Sequence, residues 1–124
     1  MPIYLSNTTT VHEIQEIFHA AYPRLQLVFF KKPHTRGEKP IPGNRVTPNT
    51  PLEKITAFRS QGWLDIGYFR TAAAIEHELR HKYGLHSHVF RKSGRSWFPT
   101  RGTNDQTLEE LNTAGPAEES LPLR

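Results

Sequence analysis

The 124-residue chain contains no cysteine. Disulfide staples, thiol chemistry and thiolate zinc sites are therefore excluded, and histidine and carboxylate remain as the side chains for a divalent metal. No apolar run approaches the ~18 residues of a membrane span, and no apolar signal-like region follows Met1. With 35% hydrophobic residues and a mean hydropathy of −0.63, the chain reads as a cytoplasmic protein of bacterial type with no membrane partner. Also missing are GxGxxG, a phosphate-binding P-loop, GxSxG and a paired-acid motif, so no cofactor is expected.

What is present suits one α+β domain over residues 1–113, followed by a disordered tail over 114–124. Area scaling for 14.3 kDa allows about two-thirds of the unfolded surface to be buried, enough for a core. The charge is uneven: residues 1–101 carry a formal +8 and residues 102–124 a formal −4, closing to +4 overall. A basic body attracts polyanions by neutralising phosphates, while an acidic tail favours solubility.

Hydrophobic spacing lays out the elements. Residues 2–6 alternate like a short strand, with Ile3 and Leu5 on one side and Tyr4 on the other. Thr10 and Glu13 form a capping box ahead of Val11, Ile14, Ile17, Phe18 and Ala21 at helical spacing, and Pro23 ends that helix near Tyr22. Leu25, Leu27 and Phe29 mark a strand that exits at Lys31 and Lys32. Five prolines and two glycines between 33 and 51 predict a long mobile loop. Leu52, Ile55 and Phe58 give a helical turn, and 63–66 a strand. A second long helix spans 71–83 and stops at Gly84, followed by a strand over 85–91. Lys92-Ser-Gly-Arg95 is a hairpin turn into 96–98, and Thr107 with Glu110 caps a last short helix.

The two halves resemble each other. Ile14, Phe18 and Tyr22 match Ile75, Leu79 and Tyr83, and Leu25, Phe29, Phe30, Lys31 and Lys32 match Leu85, Val89, Phe90, Arg91 and Lys92. Two strand–helix–strand units predict a ferredoxin-like βαββαβ sandwich with an added C-terminal hairpin strand and short helix; the alternative is a β-grasp arrangement.

The run Val89-Phe-Arg-Lys-Ser-Gly-Arg-Ser-Trp97, with Asp105-Gln-Thr-Leu-Glu-Glu-Leu-Asn112 after it, resembles a group of small bacterial proteins, chiefly of Bacteroidetes type, that have no assigned activity. Residues 10–32 are similar to the first half of that group. The resemblance leaves out the Pro-rich loop and the last residues, and implies a fold unit without a catalytic residue. Asp105-Gln106 stands where the group has Asp-Trp.

If Ile3, Leu5, Leu25, Leu27, Phe29, Leu64, Ile66, Leu85 and Val89 face the helices, period two turns Tyr4, Val28, Phe30, Trp63, Asp65, His86, His88 and Phe90 to the other face. So aromatic a face calls for a cover or a ligand. The leading expectation is a non-enzymatic module that buries Tyr4, Phe30, Trp63 and Phe90 under its own C-terminal segment, a homodimer mate or a protein partner. The alternative is single-stranded nucleic acid stacked on those rings and held by Lys31, Lys32, Arg36, Lys39, Arg91, Lys92 and Arg95. Against it, residues 62–68 do not match an RNP1 pattern, and Asp65 places a carboxylate in the site.

His77-Glu-Leu-Arg-His81 matches HExxH, in which two His one turn apart hold zinc and the Glu activates its water. Helix phase opposes an enzyme. Ile75, Leu79 and Tyr83 define the buried stripe, so His77 and His81 turn to solvent and Glu78 borders the core. His77 and His81 stay as weak metal candidates, and His86 and His88 as adventitious ones.

Overall fold

The structure, a computed structural model, describes residues 1–33, 43–55, 58–100 and 106–113. Arg36, Lys39, Arg101, Asp105 and the tail from 114 lie outside those residues, so the expectations attached to them do too.

The chain runs β1 (Pro2–Leu5), α1 (Val11–Ala21), β2 (Leu25–Phe30), a 3₁₀ turn (Leu52–Lys54), β3 (Gly62–Asp65), α2 (Ala72–Tyr83), β4 (His86–Ser93), β5 (Ser96–Pro99) and α3 (Leu108–Thr113). The helices begin and end where local chemistry dictates. Thr10 Oγ1 accepts the Glu13 N–H at 3.2 Å and Glu13 Oε1 accepts the Thr10 N–H at 2.7 Å, satisfying two donors that the first turn of α1 leaves open. Thr71 Oγ1 accepts the Ala74 N–H at the start of α2, and Gly84 ends it at φ 74°, a conformation that disfavours a side chain. Thr107 and Glu110 repeat the reciprocal box before α3.

The strands form two antiparallel sheets, β1–β3 and β2–β4–β5, so the fold class is α+β. Ile3 pairs with Leu64 and Tyr4 with Trp63, while Leu27 pairs with Val89 and Val28 with His88. All nine residues expected to face the helices are buried in one core with Ile14, Phe18, Leu52, Ile75, Leu79, Leu108 and Leu111. Each fully buried Leu, Ile or Phe stabilises by ~1.5–3 kcal/mol. Tyr22 and Tyr83, buried at the ends of α1 and α2, donate their hydroxyls to the carbonyls of Ile66 and Trp63, both at 2.5 Å. No helix among the described residues is long and apolar enough to cross a membrane.

One expectation needs correction. The outward residues do not share one face: Tyr4, Trp63 and Asp65 belong to the two-stranded sheet, whereas Val28, Phe30, His86, His88 and Phe90 belong to the three-stranded one. The described end of the Pro-rich stretch, from residue 43, is tied to β2 by backbone bonds. Lys31 N–H donates to the Asn44 carbonyl at 2.7 Å and Val46 N–H to the Phe29 carbonyl at 2.9 Å. Pro48 lies beyond this short pairing instead of interrupting it, so its missing N–H costs no ladder bond.

Backbone bonds fall in matched pairs across the two halves. Leu52 N–H donates to Thr9 O and Leu108 N–H to Arg70 O; Glu53 N–H donates to Asn7 O and Glu109 N–H to Tyr68 O. Val46 N–H to Phe29 O has its counterpart in Thr100 N–H to Val89 O. Thr10 bridges Pro51 as Thr71 bridges Thr107.

Candidate functional site

On α2 the buried stripe is Ala72, Ile75, Leu79 and Tyr83. The positions one step round, Ala73, Glu76, His77, Arg80 and His81, run at helical spacing along one flank. That flank looks onto the first half of β4, because β5 pairs only with Phe90–Ser93 and, among the described residues, no strand lies along 86–88 on that side. Between them lies a cavity of about 440 Å³ lined by the five α2 residues, His86, Ser87 and His88 of β4, Phe30 and Pro33.

The polar groups of the cleft fall into two sets. Glu76 is committed to the strand: Oε2 accepts the Val89 N–H at 2.8 Å, and Oε1 lies 3.5 Å from His88 Nδ1. The His88 ring meets Phe30 edge to face, with centroids 5.5 Å apart. The remaining set is donor-rich. His77 and His81 face one another with ring centroids 4.0 Å apart, and both are exposed, as helix phase predicts. Protonation of one opposes protonation of the other, and the His81 pKa is lowered by His77 first, then by desolvation and by Arg80 and Arg59. Burial, with Arg80 second, lowers that of His86. Ser87 is only 8% exposed, yet its hydroxyl has no hydrogen-bond partner among the described residues. A buried polar atom left so costs ~1–3 kcal/mol.

Arg59 strengthens the positive end of the cleft by donating from Nη2 to the carbonyls of His81 at 2.7 Å and Arg80 at 3.3 Å. These carbonyls form the negative end of the helix dipole, which favours cations there. The glutamate of the HExxH pattern points elsewhere: Glu78 Oε1 accepts from Arg70 Nη1 at 2.6 Å, with both side chains about three-quarters buried. Among the described residues no group of three or more His, Asp or Glu is placed to hold a metal ion.

The aromatic candidates separate into two places. Tyr4 and Trp63 stand opposite each other with centroids 4.9 Å apart and are 45% and 58% exposed. Phe30 and Phe90 are 4% and 8% exposed and pack with Val28 under Trp97. Arg45 lies over the Phe90 ring and Lys92 over that of Trp97, at 5.4 and 6.0 Å from the centroids. Lys31, Lys32, Lys92 and Arg95 are exposed and Arg91 is half-buried, but the basic residues flank rings that are already covered. Sequence reasoning missed Arg80 and Ser87. Arg80 shares the His77–His81 flank by helix phase; the signal for Ser87 is weaker, a polar residue between inward-facing Leu85 and Val89.

No family model matches the chain, and neither does any curated protein or solved structure.

Proposed function

We propose that the protein is a small non-enzymatic binding module whose ligand is an anion held in the cleft between α2 and β4. The observation that carries this reading is the buried Ser87 hydroxyl without a partner, in a cavity it shares with Arg80 and four imidazoles. A concave site with a few convergent polar groups and perturbed histidines is the first place to seek a ligand. Glu76, the only carboxylate lining the cleft among the described residues, is engaged by the Val89 N–H, so donors dominate what remains. The test is a titration with citrate and sulfate followed by the ring-proton NMR signals of the histidines. Saturable shifts are expected at His77, His81 and His86, with His12 and His19 unmoved, and Arg80→Gln weakens them. Uniform drift of all histidines, or none, refutes the proposal.

Association through Tyr4 and Trp63 is a second reading, favoured by their exposure on the face of β1–β3 turned away from the core. A homodimer mate or protein partner suits it, and sedimentation of Trp63→Ser against the unaltered chain tests it. Stacking of single-stranded nucleic acid finds less support, because Phe30 and Phe90 present little ring surface. The matched backbone bonds support reading the chain as two copies of one unit. A ferredoxin-like strand order draws support from the antiparallel β1–β3 pair and none from the β2–β4 pair.

A further inference from the structure

Resting on the anion-binding reading, we infer that the cleft between α2 and β4 is a site for a small phosphomonoester, with Arg80, Ser87 and the His77–His81 pair around the phosphate and Phe30 and Pro33 beside the organic group.

The corresponding seam in the first half shows what the second half has given up. There Gln15 Nε2 donates to the Leu27 carbonyl at 2.9 Å and His19 Nδ1 to the Leu25 carbonyl at 2.9 Å, stitching α1 to β2. His12 Nε2 and Glu16 Oε2, one turn apart, lie 3.3 Å from each other on the helix surface. At the positions that the matched helices and strands align, the second half has Arg80 for His19, Ala73 for His12, His77 for Glu16, His81 for Ala20 and Ser87 for Leu27. With Glu76 at the place of Gln15 and bonded to the Val89 N–H, these exchanges clear a side chain, move the acid from the outer flank to a bonded place on the strand, and add donors. A seam under selection for stability alone gains nothing from an unsatisfied buried hydroxyl; one that receives an anion does.

The donor set also discriminates among anions. Carboxylates are planar and are matched by one guanidinium fork, whereas a phosphoryl group presents three strong acceptor oxygens to donors arriving from several sides. Here donors come from a helix (His77, Arg80, His81) and a strand (Ser87), on two walls of the cavity. A dianion also offsets the unfavourable field that His77, its ring centroid 4.0 Å away, places on a protonated His81. The charged and titratable groups around that pair are Arg80 and Glu76 on α2, Arg59 before β3, and His86 and His88 on β4. At about 440 Å³ the cavity is within the ~300–1,000 Å³ of small-molecule sites.

The test uses the full chain and four probes: phenyl phosphate, methyl phenyl phosphate, phenyl sulfate and citrate, each followed by calorimetry and by the histidine ring signals. Phenyl phosphate is expected to bind roughly tenfold or more tightly than the singly charged diester and sulfate. Its affinity should fall below about pH 6 as the ester takes up its second proton, and should change little above neutral pH, because neighbouring His77 and burial hold the His81 pKa, and burial the His86 pKa, below the usual imidazole value. Ser87→Ala should lower phenyl phosphate affinity while leaving the melting temperature unchanged or raised, since it removes an unsatisfied buried oxygen. If citrate or phenyl sulfate binds in the cleft as well as phenyl phosphate, the phosphomonoester inference fails and the anion reading stands. If no probe moves the cleft histidines, both fail.

Discussion

Removing one oxygen from Tyr22 should cost the fold stability in a pH-dependent way. The side chain is 1% exposed, and its hydroxyl donates to the Ile66 carbonyl at 2.5 Å, tying the end of α1 to the exit of β3. Tyr22→Phe deletes the donor and leaves a buried carbonyl short of a partner, a loss of ~1–3 kcal/mol at neutral pH. Burial, followed by the negative fields of Tyr68, Asp65 and Glu109, pushes the phenol up to about 12. In the unfolded chain it titrates near 10. The folded pKa is the higher one, so this stabilisation is fully present below pH 10 and is lost as pH rises through 10 towards 12. A shift of about two units corresponds to roughly 3 kcal/mol across that window. Urea denaturation of both chains at pH 7, 9, 10 and 11 measures it, the difference between them cancelling lysines and the other tyrosines. The gap should be constant to pH 9 and narrow above pH 10, because only the unaltered chain loses the Tyr22 contribution. A gap below 0.5 kcal/mol at pH 7, or one that stays constant to pH 11, refutes the reasoning.

Thr71→Ala removes the acceptor for the Ala74 N–H and should cost about 1 kcal/mol by chemical denaturation. Trp97→Ala uncovers Val28, Phe30 and Phe90 and should raise the fluorescence of a hydrophobic dye, with a loss of about 2 kcal/mol for a half-buried ring. Glu78→Gln removes the charge from the 2.6 Å pair with Arg70 and should lower stability by about 1–3 kcal/mol by leaving a three-quarters-buried arginine without its counter-charge; the unaltered chain and the variant are expected to show the same background in a peptide-hydrolysis assay with added zinc. A zinc-dependent activity lost in that variant would overturn the non-enzymatic reading.

Elements whose limits are set by neighbours in sequence were legible. Thr10 with Glu13, Thr107 with Glu110, and Gly84 after Tyr83 each place a helix end through contacts within a turn. The buried set was legible for the same reason, since alternation fixes which side of a strand faces the core. Alternation says nothing about which strand lies alongside. Tyr4 and Phe30 both point away from the helices, yet one sits on β1–β3 and the other on β2–β4–β5, and that choice depends on pairings across sixty residues of chain. The short pairing of Asn44–Val46 with β2 was hidden because the surrounding prolines dominate local composition.

The cleft was half legible. Helix phase turned His77 and His81 outward, but outward from the core is not the same as facing empty solvent: the flank overlooks a strand that returns immediately after Gly84. A tight αL turn brings His86, Ser87 and His88 back alongside α2, so residues separated by only a few positions line both walls of one cavity. Motif spacing drew attention to Glu78, the residue that Arg70 holds away on the other side of the helix. Arg80 carried no motif. Its role emerges from comparison with His19, which at the matching place closes its seam by bonding the Leu25 carbonyl. A guanidinium is longer than an imidazole and cannot be neutralised at physiological pH, so the same position that stitches one seam shut supplies the other with a permanent charge.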